Sequence, residues 1–134
     1  MIATTDETLR IDQSDDVVRV RQAVRAQAIA AGLGLVDQTK IVTAASELAR
    51  NTLDYGHGGT VRIETFTDPL RRGVRLTFED KGPGIPNLDL ALTDGYTTGG
   101  GLGLGLSGAR RLCSDFDLHS VVGKGTRITV ARWK

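Results

Sequence analysis

Aromatic residues make up only 4% of this 134-residue chain. Ring surfaces of the kind that stack on nucleic-acid bases are therefore scarce. Charge of either sign is scarce in the net: 17 Lys and Arg stand against 16 Asp and Glu, leaving +1 at pH 7. Such a balance asks for neither nucleic acid nor an anionic membrane as partner. Cysteine occurs once, as Cys113, which excludes an internal disulfide. Its apolar helical surroundings predict a buried, inert thiol. No apolar run approaches the roughly 18 residues of a membrane span. The opening MIATTDETLRID has neither the basic nor the apolar region of a secretory signal, so the expected location is cytoplasmic. The length suits one domain over residues 1–134, able to bury a core without metal or disulfide.

Periodicity supplies the elements. TLRIDQ alternates, with Leu9 and Ile11 on one side, and predicts a short strand. Ser14 reads as a helix N-cap, with Asp15 and Asp16 in the first turn where the helix dipole favours acids. Val17, Val20, Val24, Ala28 and Ala31 follow at helical spacing, and Gly32 and Gly34 end the helix. Asp37 opens a second helix with the stripe Ile41, Ala44, Ala45, Leu48 and Tyr55, stopped by Gly56. TVRIETFT and GVRLTFED place Val61, Ile63, Thr65 and Val74, Leu76, Phe78 on single faces. The link DPLRRG makes them an antiparallel pair. NLDLALTDGY is expected to hold a short helix. LSGARRLCSD sets Leu106, Ala109, Leu112 and Cys113 at helical spacing, and DLHSVV and TRITVARW form a hairpin over GKG. The order β-α-α-β-β-α-β-β predicts an α+β two-layer sandwich, a mixed, mostly antiparallel sheet with helices on one face.

Glycine is what the chain has in quantity, 17 residues, and six of them fall in TTGGGLGLGLSGARR, residues 97–111. Gly103, Gly105 and Gly108 fit the dinucleotide spacing Gly-x-Gly-x-x-Gly. That motif needs a strand just before it, and DLALTDGYTT is not one. No Gly-Lys-Ser or Gly-Lys-Thr occurs, so the P-loop is excluded too. The run does lead into a helix near Leu104 to Ser107, and helix N-termini attract phosphate. Three further features stand beside it. Glu47 and Asn51 are four apart on the second helix, hence neighbours at the edge of its apolar stripe; a carboxylate and an amide carbonyl are hard oxygen ligands suited to magnesium, or the carboxylate can orient a hydroxyl. FEDKGPGI ends a strand on Glu79 and Asp80 and turns through Gly82, Pro83 and Gly84, where a flat ring can approach the backbone. GKGTRI opens the last strand at Gly125 and Thr126. Each feature alone has a blander reading: a solvated glutamate, a polar turn, a surface loop, an ordinary hairpin.

Together, in this order, SELARN, EDKGPGIP, DGYTTGGGLGLGL and GKGT resemble the Bergerat-fold (GHKL) ATPases. That superfamily covers gyrase, Hsp90 chaperones, sensor histidine kinases, MutL and anti-sigma serine kinases. Within it the chain is most similar to the RsbT-type switch kinases of stressosomes, over roughly residues 8 to 133. The resemblance implies ATP and Mg2+ as cofactors. It implies that Asn51 holds magnesium on the triphosphate and that Glu47 is the base or orienting group for the attacking hydroxyl. Asp80 would accept from the adenine amino group, and Gly82 and Gly84 would give the base room. Gly101, Gly103 and Gly105 would belong to a lid, and Thr126 would support the adenine edge. Arg50, Arg110 and Lys81 are the candidate γ-phosphate cations, each matched by a blander role as a surface charge; His57 and His119 receive no role.

The implied activity is serine/threonine phosphorylation of a STAS-domain scaffold or antagonist protein. Release from that partner would free the kinase to activate a downstream regulator such as a PP2C-type phosphatase. The alternative is an anti-sigma factor with serine kinase activity on an anti-anti-sigma factor, whose lid would be longer and more charged than Thr97 to Leu106. A third reading is an interaction protein that keeps the fold without the chemistry.

Overall fold

The computed structural model describes residues 2–92 and 102–134. Five strands and four helices follow the order β1 (Thr5–Ile11), α1 (Ser14–Ala30), α2 (Leu35–Asp54), β2 (Gly59–Asp68), β3 (Arg71–Asp80), α3 (Leu88–Ala91), α4 (Leu102–Leu112), β4 (Asp115–Val121) and β5 (Gly125–Trp133). The strands form one sheet in the order β1-β2-β3-β5-β4. All four pairings are antiparallel, so the sheet expected to be mixed is antiparallel throughout its described part. Two hairpins, β2-β3 and β4-β5, join through the β3-β5 pairing, which makes β3 the central strand, with β2 and β5 beside it.

The alternation seen in the sequence becomes two unlike faces. Ile11, Val61, Ile63, Val74, Leu76, Phe78, Ile128 and Val130 point inward and are all but sealed from solvent. Onto them pack Val17, Val20, Val24 and Ala28 of α1 and Ile41, Ala44, Ala45 and Leu48 of α2. Small residues dominate the α2 stripe, which lets α2 lie close to the sheet between α1 and α4. It contacts both of those helices and four of the five strands.

The outward face is a lattice of charges instead of a second core. Across neighbouring strands the register sets Asp6, Glu64 and Arg75 side by side. Arg75 grips the buried Glu64 with two bonds, Nε to Oε1 at 3.0 Å and Nη2 to Oε2 at 3.1 Å, and lies over the Phe66 ring at 5.0 Å. Arg62 reaches Asp6 and lies 3.7 Å from Glu64. Removing the strong partner of a buried carboxylate costs more than the pair itself contributes. Arg75→Ala is therefore expected to lower stability by about 2 kcal/mol, with Arg62 limiting the damage. Adding Glu64→Gln to that variant should recover part of the loss in urea denaturation.

The starts of the two long helices differ from the sequence reading. The N-cap of α1 is Gln13, and Ser14 is its first helical residue. The buried Asp16 carboxylate reaches back to accept from the Asp12 and Gln13 backbone N–H groups at 2.8 and 3.1 Å. It is the reach-back half of a capping box, in which the third helical residue satisfies the backbone N–H of the cap. Helix α2 begins two residues before Asp37, capped by Gly34, and Asp37 instead receives Arg132 Nε from β5 at 2.9 Å. Cys113 is half-buried, and burial pushes its thiol up to about 12, which suppresses the reactive thiolate. No helix among the described residues is long and apolar enough to cross a membrane.

Candidate functional site

At one end of the inward face the core opens into a cavity. Its walls come from α2 (Asn51, Thr52), the residues after α2 (Tyr55, Gly56), β3 (Phe78, Asp80), the turn Pro83-Gly84-Ile85, α4 (Leu106) and β5 (Thr126, Ile128). Apolar walls with a few convergent polar groups are the usual make-up of a small-molecule site. The polar groups enter through the strand register. Gly59, Asp80 and Thr126 stand opposite one another on adjacent strands, and Ser120 continues the row.

Asp80 is held as well as placed. Its Oδ1 accepts the Gly82 N–H at 2.9 Å. Burial raises its carboxyl above the ordinary aspartate value; bonds from the Gly82 and Thr126 backbone and the nearby His57 oppose that without cancelling it. Four glycines are packed tightly around this residue and its strand end. A Cβ on Gly56 would collide with the Asp80 side chain, and one on Gly125 with the Asp80 carbonyl. A Cβ on Gly59 would strike the Glu79 carbonyl, and one on Gly82 would lie 2.8 Å from Gly56 Cα. Gly125 also has φ +131, a backbone conformation that side chains disfavour. Gly84 lines the cavity with φ +76, its missing side chain giving way to the Val121 carbonyl at 2.6 Å. The turn glycines thus have a reason in the protein's own packing, besides any space they leave for a ligand.

Asn51 is the exception to good pairing. Its Nδ2 is buried with no hydrogen-bond partner, a state that costs about 1–3 kcal/mol unless something satisfies it. An amide can present either end to a ligand, so an orphaned amide on a cavity wall fits a bound polar or metal-bearing group. Glu47, one turn earlier on α2, is exposed and not part of the cavity wall. The structure thus brings Asn51, Asp80, Gly84 and Thr126 together and leaves Glu47 at the outer rim. Gly82 lies behind Asp80, facing a second, open groove with Lys81 and His57. Gly103 and Gly105 fall in α4, which begins at Leu102, earlier than the sequence suggested. Gly101 and the rest of the expected lid lie outside the described residues.

The candidate cations divide. Arg50 Nη1 is 3.4 Å from Ser14 Oγ and 4.0 Å from Asp54, a local surface arrangement. Lys81 follows Asp80, and Arg110 is exposed in the last turn of α4. His119 pairs with Asp117 at 3.3 Å. Sequence reasoning missed Ser120, Thr52 and the apolar walls Phe78, Ile85, Leu106 and Ile128 as site residues. Ser120 was findable: it continues the inward parity of Phe116 and Leu118, where a polar residue at the strand end must face Thr126.

A cavity between a long helix and an antiparallel sheet, with an amide on the helix and an acid at a strand end, is the arrangement that the chain's resemblance to the Bergerat-fold ATPases predicted. Residues 36–134 match the family model of histidine kinase-, DNA gyrase B-, and HSP90-like ATPases. The chain is 45% identical over 125 residues to the serine/threonine-protein kinase RsbT of Bacillus subtilis, covering 93% of this chain and 94% of that one. It is 31% identical over 104 residues to an anti-sigma F factor of Clostridium kluyveri, covering 73% and 72%. The chain belongs to that ATPase family, and within it to the serine/threonine-protein kinases of the RsbT type.

Solved structures carry the same fold. The RsbU and RsbW domains of a Mycobacterium tuberculosis protein align with TM-score 0.68 at 21% identity, over 98% of this chain and 33% of theirs. This chain therefore spans about a third of that solved one. The histidine kinase domain of a blue-light activated histidine kinase from Erythrobacter litoralis aligns with TM-score 0.51 at 18% identity, over 87% of this chain and 59% of that one.

Proposed function

We propose that the chain, acting as one domain over residues 1–134 in the cytoplasm, transfers the γ-phosphoryl group of ATP to a serine or threonine of a STAS-domain partner. Release from that partner frees it to activate a PP2C-type phosphatase or a comparable regulator. The observation that carries this reading is the convergence of Asn51, Asp80 and Thr126, from α2, β3 and β5, on one cavity. Asp80 accepts from the adenine amino group and Thr126 supports the same edge. Asn51 is the candidate magnesium ligand through its Oδ1, once the amide turns; its unpartnered Nδ2 can otherwise donate to a phosphate oxygen. When bound, Mg2+ would neutralise charge on the phosphates. The lid glycines Gly101, Gly103 and Gly105 are proposed to lie near those phosphates.

Glu47 is the proposed base or orienting group for the attacking hydroxyl. Its exposed position at the rim suits a group that must meet a protein substrate as well as ATP. Phosphoryl transfer depends mainly on positioning and charge neutralisation, and general-base catalysis contributes about 10²–10⁴-fold. Glu47→Ala is expected to bind ATP with near wild-type affinity while losing about 10²-fold or more in transfer. Nucleotide titration beside a radiolabel transfer assay on a STAS partner separates the two effects. Loss of ATP binding in that variant would move Glu47 from the chemistry to the binding site. Absence of magnesium-dependent phosphate on any STAS partner, from wild type and Asn51→Ala alike, would sink the kinase assignment.

The 31% likeness to an anti-sigma F factor keeps a second reading in view, in which the partner is a sigma subunit. Co-purification from the native cell decides between them: recovery of a sigma subunit instead of a STAS protein reverses the order.

A further inference from the structure

Ser120 has no role in the reading above, yet three hydrogen bonds meet at its hydroxyl. It stands near the end of β4, opposite Thr126 of β5. Its Oγ accepts the Ile85 N–H at 2.7 Å, lies 3.0 Å from Thr126 Oγ1, and is 3.2 Å from the Gly125 carbonyl, to which it can donate. A hydroxyl has one proton and two lone pairs. One lone pair holds Ile85, so the proton can be placed in two ways. If Ser120 donates to Gly125, Thr126 must donate to Ser120 and offers the cavity only lone pairs. If Ser120 donates to Thr126, the Thr126 proton is free to point into the cavity.

We infer that Ser120 is a positioning residue that sets the direction of the Thr126 hydroxyl, and through it the reading of the purine edge. The inference rests on the ATP-dependent reading of the site. Adenine presents a donor, its 6-amino group, beside an acceptor, ring nitrogen N1. An ionised Asp80 can only accept, so it takes the donor. The neighbouring hydroxyl must then donate toward N1, directly or through one bridging water. Only the arrangement in which Ser120 gives its proton to Thr126 does this. Nucleotide binding therefore selects one of two hydroxyl arrangements, and Ser120, by donating to Thr126, holds the selected one with the Thr126 proton turned toward the cavity. The same serine ties the turn carrying Pro83, Gly84 and Ile85 to the sheet, so a purely mechanical role has to be told apart from the directional one.

1-Deaza-ATP separates the two, because it keeps the 6-amino group and replaces N1 by a C–H. Binding of ATP and of 1-deaza-ATP is measured by calorimetry for wild type, Ser120→Ala and Ser120→Thr, with thermal melts to establish folding. Wild type is expected to prefer ATP by about tenfold, the worth of one good hydrogen bond. In Ser120→Ala the preference should shrink to about twofold or less as ATP affinity itself drops, and Ser120→Thr should restore it. The kcat at saturating ATP should change far less than KM, because the contact is remote from the phosphates. A Ser120→Ala variant that binds both nucleotides more weakly by the same factor, with the preference intact, overturns the inference and makes Ser120 a brace. Wild type that binds ATP without preferring it to 1-deaza-ATP overturns the inference alone. Wild type that binds neither nucleotide overturns the ATP-dependent reading and the inference with it.

Discussion

Asn51→Ala is expected to reduce phosphoryl transfer by about 10²–10³-fold or more, the scale on which losing one preorganised electrostatic contact acts. The nucleotide-free protein should not suffer. Alanine removes an amide nitrogen that is buried without a partner, and such a group is destabilising in the absence of ligand. Its melting temperature should therefore hold or rise, while the upward shift expected of wild type on adding ATP and magnesium should disappear. An ordinary core asparagine would behave oppositely, losing stability and keeping the ligand shift. Differential scanning fluorimetry with and without nucleotide distinguishes the two in one experiment.

Asp80→Asn should sharply weaken adenine recognition: with its oxygen kept on the Gly82 N–H, the amide turns its NH2 toward the 6-amino group and leaves two donors facing each other. Its effect on stability follows from the raised carboxyl. A group whose folded value lies above its unfolded one stabilises the fold below the unfolded value and loses that contribution as pH rises through the folded value. At neutral pH wild type thus carries an ionised, partly desolvated carboxylate, and the neutral amide removes that burden. The nucleotide-free variant is expected to melt higher than wild type at pH 7, with the difference shrinking as pH falls toward the acid range. In wild type, ATP affinity should decline over the same acid range, as Asp80 takes up the proton that prevents it from accepting. A variant less stable at pH 7 than at acid pH, relative to wild type, would contradict this assignment of the charge.

Much of the architecture was legible because burial is one-sided. Strands with one buried and one wet face alternate plainly, so Val61, Ile63, Val74, Leu76 and Phe78 were found on the correct side. The helical stripes of α1 and α2 were equally clear. Element starts were less so, because an N-cap depends on which side chain reaches back: Asp16 does so from inside α1, and nothing local distinguishes it from Ser14. The two hairpins were legible, but how they join into one sheet was not. Nothing in TRITVARW says that β5 inserts between β3 and β4, and it is this insertion that sets Thr126 opposite Asp80. Ser120 escaped notice although the expected β4-β5 hairpin already sets it opposite Thr126. The site motifs were visible as spacing, but their environments were not. Glu47 and Asn51 look equivalent on a helical wheel, yet one is exposed and the other ends in a buried, unpartnered amide.

The glycines around Asp80 bear on how this site can change over time. Gly56, Gly59, Gly82 and Gly125 come from different parts of the chain, and each is barred from gaining even a methyl group by backbone or by Asp80 itself. Conservative substitution, the usual route by which a binding pocket drifts toward a new ligand, is closed at all four. On the proposed reading, Asp80 is aimed before any nucleotide arrives, so little conformational freedom remains to be lost on binding. Descendants of such a chain can abandon the nucleotide in a single step, but they have few intermediate forms through which to retune the way this acid meets its base. Diversification is left to the surfaces that meet other proteins.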